Sequence, residues 1–113
     1  VSQEIIKKTW GYEKIIHNGG YCMKLLVYTR PIASSLHFHK LKHECFYVVD
    51  GLFQLELVSA GGVRNVRKMT YGATVVLPPA TQHRIRCLEP GTIVEASSHD
   101  DPEDCVRLEP SDP

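Results

Sequence analysis

Apolar positions along the chain fall in short runs, most of them with a period of two, and each run ends in turn chemistry. Tyr21–Thr29 (YCMKLLVYT) leads through the Pro31–Ser35 connection into Leu36–His39. Glu44–Asp50 (ECFYVVD) stops at Gly51, and beyond it Phe53, Leu55 and Leu57 alternate with Gln54 and Glu56, the pattern of a half-buried strand. Ala60-Gly61-Gly62 reads as a hairpin turn into Val63–Lys68, Tyr71-Gly72 as a second turn, and Ala73–Leu77 as a strand stopped by Pro78-Pro79. His83, Ile85 and Cys87 alternate with Arg84 and Arg86, and Glu89-Pro90-Gly91 turns into Thr92–Ser97. Nowhere is a helical period sustained over ten residues; Ser2–Lys8 and Pro102–Leu108 offer one or two helical turns each. About nine short, evenly spaced strands predict an all-β sandwich or small barrel.

Length and composition narrow this to one unit. The chain has 113 residues, 42% of them hydrophobic, which suffices for a single core without staples. The expectation is a single domain over 1–113, with its core at about 20–98 and the acidic, proline-containing stretch 99–113 as a surface tail. Charges balance at 13 Lys+Arg against 13 Asp+Glu, so the basic surface of a nucleic-acid binder is not expected. No apolar run approaches the ~20 residues of a membrane span. Neither nucleic acid nor membrane is therefore an expected partner. Cys22, Cys45, Cys87 and Cys105 contain no C-x-x-C pair and three lie in apolar runs, which points to reduced thiols and a cytoplasmic compartment.

What composition adds is histidine: there are six, and they are not scattered at random. In Leu36-His37-Phe38-His39-Lys40-Leu41-Lys42-His43-Glu44, His37 and His39 share one strand face, and Glu44 opens the next strand after a turn. His83 begins a later strand behind the proline turn. One histidine is usually a satisfied core residue; three imidazoles and a carboxylate that can converge make an N3O site for a divalent first-row metal. Mn, Fe, Co, Ni and Zn all fit such a set. With His37, His39 and Glu44 inward, Phe46 and Val48 face inward too, and Cys45, Tyr47 and Val49 face out. That apolar outer face calls for cover by a second sheet, an N-terminal segment or a second copy of the chain in a homodimer. By strand parity Lys24, Lys42 and Glu95 are the candidate catalytic residues: a non-ligating Glu95 would move a proton, and a lysine would steady the charge that develops.

These residues resemble the two motifs of the cupin superfamily, G-x5-H-x-H-x4-E-x6-G and G-x5-P-x-G-x2-H-x3-N. The first matches at His37, His39, Glu44 and Gly51, with Pro31 in place of its first Gly. The second matches at Gly72, Pro78 and His83, with Ala80 and Cys87 in place of a Gly and the final Asn. The resemblance implies a double-stranded β-helix, a jelly-roll barrel of six to eight strands, with one divalent transition metal held in its mouth by His37, His39, Glu44 and His83. More widely, WGYEKIIHNGGYCMKLLVY, HFHKLKHECFYVVDG and IVEASSHDDPEDCVRLE, as segments, look similar to sugar-processing cupins of the D-lyxose isomerase and mannose-6-phosphate isomerase type. That likeness implies acid–base or substrate roles for Lys42 and Lys24, a sugar or sugar phosphate as the small-molecule ligand, and aldose–ketose isomerisation or epimerisation. Two other functions use the same ligand set: an Fe(II)-dependent small-molecule dioxygenase, and a non-catalytic module that binds a sugar or another small ligand.

Overall fold

A computed structural model describes residues 4–111. They form eleven strands: β1 (Glu4–Lys8), β2 (Gly11–Asn18), β3 (Cys22–Tyr28), β4 (Leu36–His39), β5 (Glu44–Val48), β6 (Leu52–Val58), β7 (Arg64–Met69), β8 (Thr74–Leu77), β9 (Gln82–Glu89), β10 (Gly91–Ser97) and β11 (Cys105–Glu109). A single 3-10 turn, Pro102–Asp104, precedes β11. Every pairing is antiparallel, in a six-stranded sheet of order β1-β2-β3-β10-β5-β8 and a five-stranded sheet of order β11-β4-β9-β6-β7. The double-sheet jelly roll implied by the motif resemblance is the fold observed, with eleven strands where six to eight were implied. No helix among the described residues is long and apolar enough to cross a membrane.

Three strands go beyond the sequence-based expectation. Ser2–Lys8, a candidate helical turn, forms β1 over its described residues and pairs with β2, while Pro102–Leu108 gives one 3-10 turn and then β11 on β4. The stretch expected as a surface tail thus closes one edge of the five-stranded sheet. In isolation CVRLE has too little periodicity to mark a strand; its ladder partner β4 supplies the hydrogen bonds that hold it extended.

The inward residues change character along the strands. On β3 they run Lys24, Leu26, Tyr28; on β5 Glu44, Phe46, Val48; on β10 Glu95, then Ile93; on β9 His83, Ile85, Cys87, all buried. Antiparallel register lines up the polar ends, Glu95 lying opposite both Lys24 and Phe46. One half of the interior is therefore an apolar core of Leu26, Tyr28, Phe46, Val48, Phe53, Leu55, Met69, Leu77, Ile85 and Ile93 with Trp10 at its edge, and the other half is a polar cavity. Trp10 stacks on Tyr28 with ring centroids 4.1 Å apart, and Tyr28 meets Phe53 edge-on at 5.2 Å, a rigid aromatic floor between the two halves.

On the other side of the six-stranded sheet, Cys45, Tyr47 and Val49 are exposed, as parity predicts. The cover expected for this face is not supplied by the second sheet, which packs on the opposite side, or by the N-terminal strands. β1 and β2 extend the sheet edgewise instead.

Candidate metal centre

The two motif turns are what bring the histidines together. β4 carries His37 and His39 in the five-stranded sheet, and His83 lies directly opposite His37 on the neighbouring β9. Glu44 was expected to return alongside His39 on the same face; it arrives from the opposing sheet, because the 40–43 turn carries the chain across the barrel. That turn is fastened by buried Asp104, whose carboxylate accepts from the backbone N–H of Leu41 at 2.8 Å and of Lys42 at 3.0 Å. The proline turn before His83 is tied to β4 by the Ala80 N–H, which donates to the His39 carbonyl at 2.7 Å. Ala80 stands where the motif has glycine, and it adopts the left-handed φ of 67° that the glycine would take more easily, a strain of about 1 kcal/mol held by this contact.

Two of the imidazoles, those of His83 and His37, are oriented through Nδ1. His83 Nδ1 donates to the Thr81 carbonyl at 2.9 Å and His37 Nδ1 to the Ser35 carbonyl at 3.0 Å, which leaves Nε2 of both as the free donor toward the cavity. His39 Nε2 lies 3.4 Å and His83 Nε2 3.8 Å from the same Glu44 oxygen. His39, Glu44 and His83 are all buried, and their donor atoms lie within 4.8 Å of one another. His37 falls outside that trio and inside a second one, with His39 and Cys105 at the same spacing. Its ring is nevertheless 4.5 Å from that of His83 and 5.1 Å from that of His39. The predicted four-residue cluster is thus assembled around a tight core of three, with His37 at its flank.

All three candidate catalytic residues face the same cavity and are buried. Lys42 Nζ bonds Glu95 at 3.0 Å and Asp100 at 2.9 Å, and stands 3.8 Å from Glu44. Lys24 Nζ bonds the other Asp100 oxygen at 3.0 Å and Glu13 at 3.2 Å. Asp100 is itself clamped by reciprocal hydrogen bonds with the Asn18 side chain, both 2.9 Å. Glu13, Asp100, Asp104 and Cys105 had no signal in the sequence: the Lys24–Asp100 contact spans 76 positions, and HDDPED reads as a solvated acidic stretch. His43 is exposed, and His99 bonds the Gly19 carbonyl, away from the centre. His17 packs its ring beside Tyr21.

The electrostatics fit a cation. Burial, then the neighbouring His83, lowers His37 to about 3; burial, then Lys42, lowers His39 to about 3; burial lowers His83 to about 4 against the pull of its Thr81 contact. All three imidazoles are neutral at pH 7, the form in which a histidine can ligate a metal. Burial, reinforced by Glu95, pushes Glu44 up to about 8 despite Lys42. Burial opposes the charge on Lys42 and on Lys24, yet Glu95 foremost among the carboxylates holds both above the ordinary lysine range. Burial likewise opposes ionisation of Asp100, but the Lys42 hydrogen bond and charge hold it down to about 2. Five carboxylates (Glu13, Glu44, Glu95, Asp100, Asp101) line the cavity with four cationic side chains, Lys8, Lys24, Lys42 and Arg107, and Lys24 and Lys42 are each paired with carboxylates there. His39 Nδ1 is moreover the one buried side-chain polar atom without a hydrogen-bond partner among the described residues. The donor set, with its neutral imidazoles, and the orphaned nitrogen suit a divalent metal.

These shifts set a pH dependence of stability in metal-free protein. Glu44 favours its protonated form in the fold, so its contribution is complete below pH 4.5 and is lost as pH rises through about 8. The three imidazoles favour their neutral form, so theirs is complete above pH 6.5 and is lost as pH falls toward 4 and 3. Urea unfolding in chelator should therefore show a loss of about 2 kcal/mol between pH 6.5 and 8, absent in Glu44→Gln. Equal wild-type stability at both values would contradict the assignment.

The cavity measures about 350 Å³, at the small end of ligand pockets, and Arg107 of β11 stands among its lining residues. Solved structures of Bacillus subtilis oxalate decarboxylase share this architecture. A variant of that enzyme superposes with a TM-score of 0.84 at 16% identity, over 95% of this chain and 30% of the other. The enzyme at pH 4.6 gives 0.83, with the same identity and coverage. The fold is the cupin jelly-roll barrel. At this identity the likeness concerns the fold, and this cupin-fold chain spans about 30% of the length of the chains it matches. No family model matches the chain, and no curated protein matches it in sequence. The narrower resemblance to sugar isomerases accordingly has no counterpart among these structures.

Proposed function

We propose that the chain is a metal-dependent isomerase or epimerase of a sugar or sugar phosphate, with His37, His39, Glu44 and His83 as the metal ligands. The observation that carries this reading is Glu95: a buried carboxylate outside both donor trios, held by Lys42 at 3.0 Å in the cavity that contains them. When bound, a divalent ion would act as a Lewis acid on a substrate carbonyl. Glu95 takes the proton from the carbon beside that carbonyl and returns it to the former carbonyl carbon, while the proton of the neighbouring hydroxyl passes to the former carbonyl oxygen, so protons are conserved and the carbonyl moves by one position. In epimerisation a proton returns to the same carbon on its opposite face. Lys42 faces the negative charge that develops on the substrate oxygens during the transfer. Lys24 acts at one remove, fixing Asp100 and through it Lys42. The exposed apolar positions around Tyr47 and Val49 support a homodimer that buries the outer face of the six-stranded sheet.

A second reading is favoured by Arg107 at the cavity together with the fold shared with oxalate decarboxylases: a small carboxylic acid as ligand, met by the guanidinium. One experiment separates these. Protein loaded in turn with Mn, Fe, Co, Ni and Zn is incubated in deuterium oxide with a panel of aldoses, ketoses and their phosphates, and with oxalate and related acids. Deuterium at C1 or C2 of a sugar is the expected result. Release of carbon dioxide from an acid, or uptake of oxygen with iron alone, would replace the isomerase by the corresponding alternative. Ligand binding with no turnover by any metal would make the chain a binding module.

A further inference from the structure

Cys105 has no part in the chemistry above, yet β11 delivers it to the cavity. It lies directly opposite His39 in the antiparallel β4–β11 ladder, with Arg107 opposite His37. Side chains directly opposite one another in such a ladder share a face, so the thiol stands beside the imidazoles. The donor atoms of His37, His39 and Cys105 lie within 4.8 Å of one another. Two features of the histidines make this more than a neighbouring cysteine. His39 is 8% exposed and its Nδ1 is buried without a partner, while His37 spends Nδ1 on Ser35 and keeps Nε2 free. Glu44, the hard oxygen donor, belongs to the other trio.

We infer that the cavity offers soft metal ions a second coordination site, made by the Cys105 thiolate with His37 and His39. The inference shares the imidazoles of His37 and His39 with the centre proposed above and in that respect rests on it. A carboxylate and two imidazoles suit manganese or iron; a thiolate and two imidazoles suit zinc, cobalt or cuprous copper. An ion bound on the sulfur side displaces the thiol proton, because only the thiolate ligates. The shared His39 couples the two trios, so the ion's softness selects which side of the cavity it occupies.

Cobalt(II) reports the difference directly, since thiolate ligation gives near-ultraviolet charge-transfer absorption that nitrogen and oxygen ligation does not. Cobalt(II) chloride added to metal-free wild-type protein should produce that absorption. Cys105→Ser should lose it while elemental analysis still finds bound cobalt. Cys45→Ser, altered on the exposed outer face of the sheet, should keep it. Cobalt bound to wild-type protein without the absorption would overturn the thiolate site and leave the metal centre standing. Absorption that survives in Cys105→Ser would also overturn it. No bound cobalt at all would overturn both. The wild-type spectrum decides the question even if the Cys105 variant fails to fold.

Discussion

His39→Ala is expected to lose its metal. His39 is the one residue common to both donor trios, its Nε2 lies 3.4 Å from Glu44, and its Nδ1 is the orphaned buried nitrogen. Loss of partners that merely orient a ligand already costs roughly 10–100-fold in metal affinity, so removal of a shared ligand should exceed about 100-fold. The fold should survive. Truncation leaves a cavity, which destabilises, but it also removes a buried polar atom that has no partner, which offsets about 1–3 kcal/mol. The measurements are metal content after gel filtration, titration with manganese or zinc, and the urea midpoint of chelated protein. His43→Ala, one residue from Glu44 but exposed, should retain wild-type metal content. Full retention in His39→Ala would sink the proposed centre.

The parts of this centre that could be read in advance are those encoded locally. His37 and His39 follow from strand parity, and the inward Phe46 and Val48 follow from Glu44 by the same rule. Parity leaves Lys24 and Glu95 a choice of two faces without deciding it; the structure buries both. What parity does not encode is which strand meets which. Glu44 faces His39 across the barrel because the 40–43 turn changes sheets, and that depends on Asp104, about 60 positions away. The same holds for β11, whose extended form comes from its ladder with β4, and for Asp100, which joins Lys24 and Lys42 only once the chain has folded back to Asn18. Charge composition also misleads locally. The acidic stretch after His99 resembles solvated surface, although two of its carboxylates organise the cavity and the turn beneath it.

The charges in the cavity form one linked set, and this bears on which residue can act as a base. Asp100 bridges the two lysines, so each ammonium is neutralised before a substrate arrives. Neither lysine is then a free general base, since the neighbouring carboxylates, Glu95 foremost, keep both protonated against the effect of burial. Glu44 faces two imidazoles and belongs to the proposed metal centre. Glu13 and Asp100 are each bonded to Lys24, with Asp100 held down to about 2. In the proposed isomerisation, proton transfer is assigned to Glu95, which is bonded to a single lysine, Lys42, at 3.0 Å.

Glu95→Gln tests that assignment with the charge removed and the shape kept. The amide still fills the site between Lys24 and Phe46 in the β10 register and can still accept from Lys42. It cannot take a proton. Metal content should match wild type, because Glu95 lies outside both donor trios. Exchange of solvent deuterium into the sugar should fall by about 10²–10⁴-fold, the usual contribution of a positioned general base. Ligand affinity should change far less, since the metal and the rest of the cavity remain. Part of any loss could come from Lys42, which would have one carboxylate fewer. Lys42→Met separates the two: it should slow turnover by weakening charge stabilisation, yet leave exchange measurable because the base is intact. Exchange in Glu95→Gln within tenfold of wild type, at equal metal content, would remove Glu95 from the reaction and with it the isomerase reading of this cavity.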